Sequence, residues 1–156
     1  MNLSSTLAKR FRAIYTGNNW TNTNIKEAVA NVSWEQAITK VHSFNTIAAL
    51  IFHMDYYVSV ALKVLQGGPL EGHDRFSFDC PPIQSQQDWE QLKAKVFADA
   101  EAVASLLEQL PENKFWEIFT DEKYGTYYSN IVGLIEHNHY HLGQVVLIKK
   151  ILAEKN

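Results

Sequence analysis

The chain has 156 residues, with 14 Lys and Arg against 17 Asp and Glu, for a net charge of -3. Apolar residues make up 46% and charged residues 20%, which argues against intrinsic disorder, and the missing basic surplus argues against nucleic acid as a general partner. A chain this long buries roughly 70% of its unfolded surface, so one domain over 1–156 is expected, with a core that needs no staples.

Leu3, Leu7, Phe11 and Ile14 recur at spacings of three and four, one face of a first helix that Gly17-Asn18-Asn19 ends. Asn24-Ile25-Lys26-Glu27 and Ser33-Trp34-Glu35-Gln36 each read as a helix start, so residues 18–43 form a connection carrying short helical pieces. A second long helix runs from Asn45 to Gln66, with Ile47, Leu50, Ile51, Met54, Val58 and Leu62 inward, and Gly67-Gly68-Pro69 stops it. Residues 67–84 hold Gly, Asp and Pro81-Pro82 and read as a loop. Ser85 caps a third helix whose face is Trp89, Leu92, Val96, Val103, Leu106 and Leu110, and Pro111 ends it. Residues 112–125 form an aromatic, irregular connection, and Thr126 caps a fourth helix reaching Glu154. No segment alternates apolar and polar residues long enough to demand a strand. The expected architecture is an all-α four-helix bundle with short extra helices between helices one and two.

The single cysteine, Cys80, has no internal disulfide partner, and it reads as incidental rather than as a nucleophile. The N-terminal residues lack a basic stretch followed by an apolar core, and the longest apolar run, Ile47 to Phe52, is far below the roughly 20 residues that span a bilayer. The cytoplasm is therefore the expected location. There is no Gly-rich phosphate loop, no H-E-x-x-H, no CxxC pair and no G-x-S-x-G elbow.

The histidines carry the information. On a helical wheel of about 100° per residue, His137 and His141 sit in the middle of the fourth helix's inward stripe, one turn apart. Rings so placed can converge on one ion. His53 falls just past the edge of the second helix's apolar arc, beside Tyr57 and Leu50, where it can reach a neighbouring helix. Three neutral imidazoles leave a position open for water or substrate, which is the catalytic rather than the structural arrangement of a metal. By spacing alone, metal ligation and a satisfied core pair are equally open for His137 and His141. His139 points to solvent, and His42 and His73 read as surface residues of connections. Gln144 and Asn130 are polar residues in the inward stripe, where they either orient a ligand or a bound water or bond between helices. Tyr57, Tyr127 and Tyr140 read as core packing, and Trp20, Trp34, Trp89 and Trp116 as packing anchors. Asp55 falls away from His53 and reads as a solvated acid.

The segment His137-Asn138-His139-Tyr140-His141-Leu142-Gly143-Gln144 resembles the signature of the DinB/YfiT-like superfamily, in which two histidines four apart and then x-Gly-Gln occupy the last long helix. Gly17-Asn18-Asn19-Trp20, Ser33-Trp34-Glu35-Gln36-Ala37 and the stretch Ile47 to His53 are similar to the family's segments in the same order. The resemblance implies a four-helix bundle and a divalent metal, zinc or nickel, held by His53, His137 and His141. It also implies a homodimer. In some relatives a low-molecular-weight thiol such as glutathione, mycothiol or bacillithiol is the co-substrate, held as a thiolate by the metal and passed to an electrophile. The readings that follow are a metal-dependent thiol S-transferase or related hydrolase acting on a small molecule, or a non-catalytic stress-response protein with a structural or sensory metal. The residues matched include no substrate pocket and no catalytic acid or base.

Overall fold

The computed structural model describes residues 2–154; Met1, Lys155 and Asn156 of the expected 1–156 domain lie outside them. The described chain is all-helical, with helices α1 (Leu3–Tyr15), α2 (Ile25–Val29), α3 (Trp34–Ile38), α4 (Ile47–Leu65), α5 (Gln86–Gln109) and α6 (Tyr127–Glu154). An isolated antiparallel bridge between Ile118 and Thr126 is the nearest approach to a strand among the described residues.

The caps place each element where its local chemistry allows. Asn2, Asn24, Thr46 and Ser85 accept hydrogen bonds from backbone N–H groups of the turns that follow them. Ser33 and Gln36 form a reciprocal capping box that starts α3. The Thr126 hydroxyl accepts from Ser129 N at 3.2 Å at the start of α6. Gly67, with φ of 86°, follows α4 in the left-handed region that lets the chain leave the helix.

α1, α4, α5 and α6 form the bundle. α1 and α4 each pack against both α5 and α6, so α1 faces α4 across the core. α2 and α3 lie in the connection from α1 to α4 and close the side of the bundle against α6, α4 and α5. Phe11, Ile14, Ile51, Met54, Val58, Val103, Ile131 and Val145 fill the centre at 0–1% exposure. Burying a large apolar side chain contributes about 1.5–3 kcal/mol, so this core carries the fold. Trp89 is fully buried, and its indole N–H donates to Val32 O at 2.9 Å, tying α5 to the α2–α3 connection. α4 is long and apolar enough to cross a bilayer by length and composition, yet 56% of its most apolar window is buried inside the bundle.

Two groups of aromatic residues depart from the expectation of core packing. Trp20 is 100% and Trp116 62% exposed, whereas Trp89 is in the core and Trp34 packs against it. Trp20 follows the α1 stop in a connection, where no helix face directs it inward. Tyr127 is buried against Phe119, but Tyr140 is 65% exposed, because its position on α6 lies beyond the stripe that faces α4 and α1. Asp55 is likewise no solvated acid. It is 2% exposed and faces α5, where its Oδ2 lies 2.5 Å from Lys95 Nζ. The second contact face of α4 explains this burial: a helix packed between α5 and α6 buries more than one stripe.

Candidate metal centre

His53 sits in the middle of α4 at 6% exposure. Its Nδ1 lies 3.2 Å from the carbonyl oxygen of Ser77, and the ring of Phe78 stacks on it with centroids 3.8 Å apart and planes 9° apart. Both neighbours come from the loop after α4, which folds back over that helix. Tyr56 fastens the loop by donating to His73 O at 3.0 Å and accepting from His73 N at 2.7 Å. The Ser77 hydroxyl donates to Asp74 O at 2.7 Å and closes a short 3-10 turn at Asp74–Phe76.

α6 brings the other two rings. His137 and His141 are one turn apart with ring centroids separated by 4.5 Å. The His53 ring lies 5.0 Å from His137 and 4.7 Å from His141. One potential ligand atom from each histidine lies within 4.8 Å of the others, which makes the three a cluster able to hold a metal ion. His53 Nε2 and His137 Nε2 are 3.1 Å apart, and His141 Nδ1 is 2.7 Å from Gln144 Oε1.

Tautomers follow from these partners. A carbonyl oxygen only accepts, so Nδ1–H of His53 donates to Ser77 and Nδ1–H of His141 donates to Gln144. That leaves both Nε2 lone pairs for the centre of the cluster. His137 Nε2–H then donates to His53 Nε2, while His137 Nδ1 is buried without a hydrogen-bond partner among the described residues. A donor set of three imidazoles, two with outer nitrogens already oriented, fits a borderline divalent ion such as zinc or nickel. Burial, and then the neighbouring His141, hold the His53 pKa below its ordinary value; the same causes, joined by His53, lower His137 to about 4. Both rings are therefore neutral at neutral pH, the state that ligates metals.

The remaining expected residues fall elsewhere. The Nδ2 of Asn130 donates to Tyr124 O at 2.7 Å and to Thr126 O at 2.8 Å, so it pins the turn that leads into α6 rather than meeting a histidine. His139 is half-buried instead of solvated, with Nδ1 3.1 Å from Ile135 O of its own helix. His42 and His73 are exposed, as expected. Asn138, next to His137, is fully buried and donates to the Tyr15 hydroxyl at 3.0 Å across the core.

Two residues that sequence reasoning did not assign to the site join it. The Tyr57 ring lies 5.2 Å from His53 and 5.0 Å from His137, each edge-on, and its hydroxyl donates to Asp74 Oδ1 at 2.9 Å. Burial raises the Tyr57 pKa, so the phenol keeps its proton. Both residues line a cleft of about 650 Å³ between α4, α6 and the two loops, whose lining includes His137 but neither His53 nor His141. Tyr57 packs against the core, as expected, and lines a pocket as well. Its spacing of four from His53 was the available signal, since that spacing stacks side chains on one helix face. Asp74 gave none, because a loop has no periodicity to place it.

A family model described as DinB superfamily matches residues 18–145. Among curated proteins and among solved structures, none matches the chain.

Proposed function

The chain belongs to the DinB superfamily, and from that premise we propose a metal-dependent enzyme that transfers a small thiol to an electrophile, with His53, His137 and His141 holding one divalent ion, zinc or nickel. The observation that carries this reading is the convergence of the three rings, with the outer nitrogens of His53 and His141 tied to Ser77 and Gln144. When bound, such an ion supplies the positive charge that favours a thiolate over a thiol at neutral pH, or that activates water in a hydrolytic variant.

The chain's own residues do the rest. Ser77 and Gln144 fix the ring tautomers and orientations. Phe78 covers His53 and limits the water that reaches it. Tyr57 walls the cleft beside His53 and His137, and the cleft gives a small molecule access to the centre from one side. His137 and His141 act as ligands and not as an acid–base pair, because a ligating nitrogen has its lone pair committed.

One observation favours a second reading. Among the described residues, no Asp, Glu, Lys or Arg side chain hydrogen-bonds to the three histidines, which suits a non-catalytic stress-response protein with a structural or sensory metal. The presence of His137 in the lining of the cleft favours the enzyme. The proposal extends to a homodimer: Tyr140 at 65% and Leu147 at 52% exposure supply apolar area on the outer face of α6. A monomer mass in light scattering would exclude that extension.

Cobalt-loaded protein tests the thiol reading. Titration with small thiols of differing charge is expected to raise a sulfur-to-metal charge-transfer band in the near ultraviolet with at least one of them. No band with any thiol, together with no thiol-dependent turnover, would leave hydrolysis or the non-catalytic reading.

A further inference from the structure

The lining of the cleft is aromatic on several sides and bears one carboxylate. Tyr57, Phe119 and Tyr124 contribute rings, Asp74 contributes the acid, and no lysine or arginine lines it. Asp74 is held in place by the Tyr57 hydroxyl on Oδ1, and its Oδ2 has no hydrogen-bond partner among the described residues. The cations near the lining each contact another group. Arg75 lies over the Phe76 ring, 4.4 Å from its centroid. Lys63 pairs with Glu71 at 2.7 Å. Lys123 lies 4.8 Å from the Tyr124 centroid, with Asp121 at 4.0 Å.

We infer that this cleft selects a ligand carrying a positively charged amine, seated against Asp74 with its body directed toward His137, and that it turns away anionic ligands of the same size. The inference rests on the reading of the cleft as the ligand entrance to the histidine centre. Asp74 is exposed, so an ammonium gains the modest Coulomb attraction of a solvent-screened carboxylate, and aromatic rings add attraction through their negative faces. A carboxylate on the ligand meets Asp74 with like charge, and no lysine or arginine is among the lining residues to offset it. For thiol transfer, this singles out an aminothiol, or an amine-bearing electrophile, over acid-rich thiol peptides. A bound divalent ion would itself attract anions and mask the effect, so the selectivity of the lining is cleanest without metal.

The test uses the full chain, free of metal, with benzylamine, benzyl alcohol and benzoate as probes of matched shape. Binding is read from NMR shifts of the amides of Gly72 and Gly133, two lining glycines. Benzylamine is expected to bind about threefold to fivefold more tightly than benzyl alcohol, with benzoate the weakest. Asp74→Asn should bring benzylamine within about twofold of benzyl alcohol while benzyl alcohol binding is retained. Tyr57→Phe, which frees the carboxylate from its tether, should give an intermediate preference. Equal binding of benzoate and benzylamine, or an amine preference that survives Asp74→Asn, overturns the inference. So does binding of none of the three. Each of those results leaves the histidine centre standing if metal content depends on His137 and His141, so the two failures are separable.

Discussion

Replacing Lys95 with Met removes the ammonium that lies 2.5 Å from Asp55 Oδ2 and 2.7 Å from Asp99 Oδ2. Asp55 is 2% exposed and its Oδ1 already lacks a partner, so the substitution strands a buried carboxylate with Asp99 close by. Breaking a buried ion pair on one side costs about 3–5 kcal/mol. Lys95 itself is 55% exposed, so water reaches part of the pair, and about 2–3 kcal/mol is the appropriate range. For a chain of this size that corresponds to a fall in Tm of about 4–12 °C. The pH dependence has a definite sign. Burial raises the Asp55 pKa and Lys95 counteracts it, so losing Lys95 raises it further. A carboxyl whose folded pKa exceeds its unfolded value favours the fold on the acid side and loses that contribution as pH rises through the folded pKa. The defect of Lys95→Met should therefore be largest at neutral pH and shrink at mildly acid pH. Adding Asp55→Asn should restore most of the stability at neutral pH. Urea unfolding followed by far-UV circular dichroism measures each term through the midpoint at unchanged slope. A loss below about 0.5 kcal/mol at neutral pH, or a loss independent of pH, would refute the buried-pair account.

Chelation should leave the helical signal in far-UV circular dichroism intact at room temperature, because the four long faces bury their own core; loss of helix would make the metal structural. Metal-free protein should lose stability as pH falls from the ordinary histidine range toward 4, since the unfolded chain takes up a proton that His137, lowered to about 4, refuses. The effect should be about 1–2 kcal/mol after discounting for the partial exposure of His137, and stability unchanged across that window would contradict it. Gly143 is exposed in the interior of α6 and a Cβ there meets nothing within 4 Å. Gly143→Ala should accordingly raise stability by about 0.5–1 kcal/mol in the same urea assay, and destabilisation would show that the glycine answers a constraint outside this bundle.

The helices and their caps were legible because each signal is local. Asn24, Ser33 and Ser85 cap the helices their side chains announced, and the inward stripe of α6 carries His137 and His141 as the wheel placed them. Asp55 was misread because a one-stripe wheel allows a helix a single buried face, whereas α4 packs against both α5 and α6. The outer environment of His53 was illegible for a different reason. Ser77 and Phe78 meet it through a loop whose path depends on the Tyr56 and Tyr57 hydroxyl bonds to His73 and Asp74, contacts 17 residues apart. The same loop creates the cleft, so its carboxylate emerged only with the fold. Exposed aromatics show the reverse error: Trp20 lies in a connection with no face to assign it to, and Tyr140 lies just beyond the edge of the inward stripe of α6.

Elemental analysis of protein prepared without a nickel column tests the metal centre directly. The unsubstituted chain is expected to carry about one divalent ion per chain, at metal–nitrogen distances of about 2.0–2.1 Å if the ion is zinc. His53→Ala, His137→Ala and His141→Ala should each lose most of it, while His139→Ala, whose ring bonds to its own helix at Ile135, should keep it. Full occupancy in the His137→Ala and His141→Ala variants, or an equal loss in His139→Ala, would contradict a centre built from His53, His137 and His141.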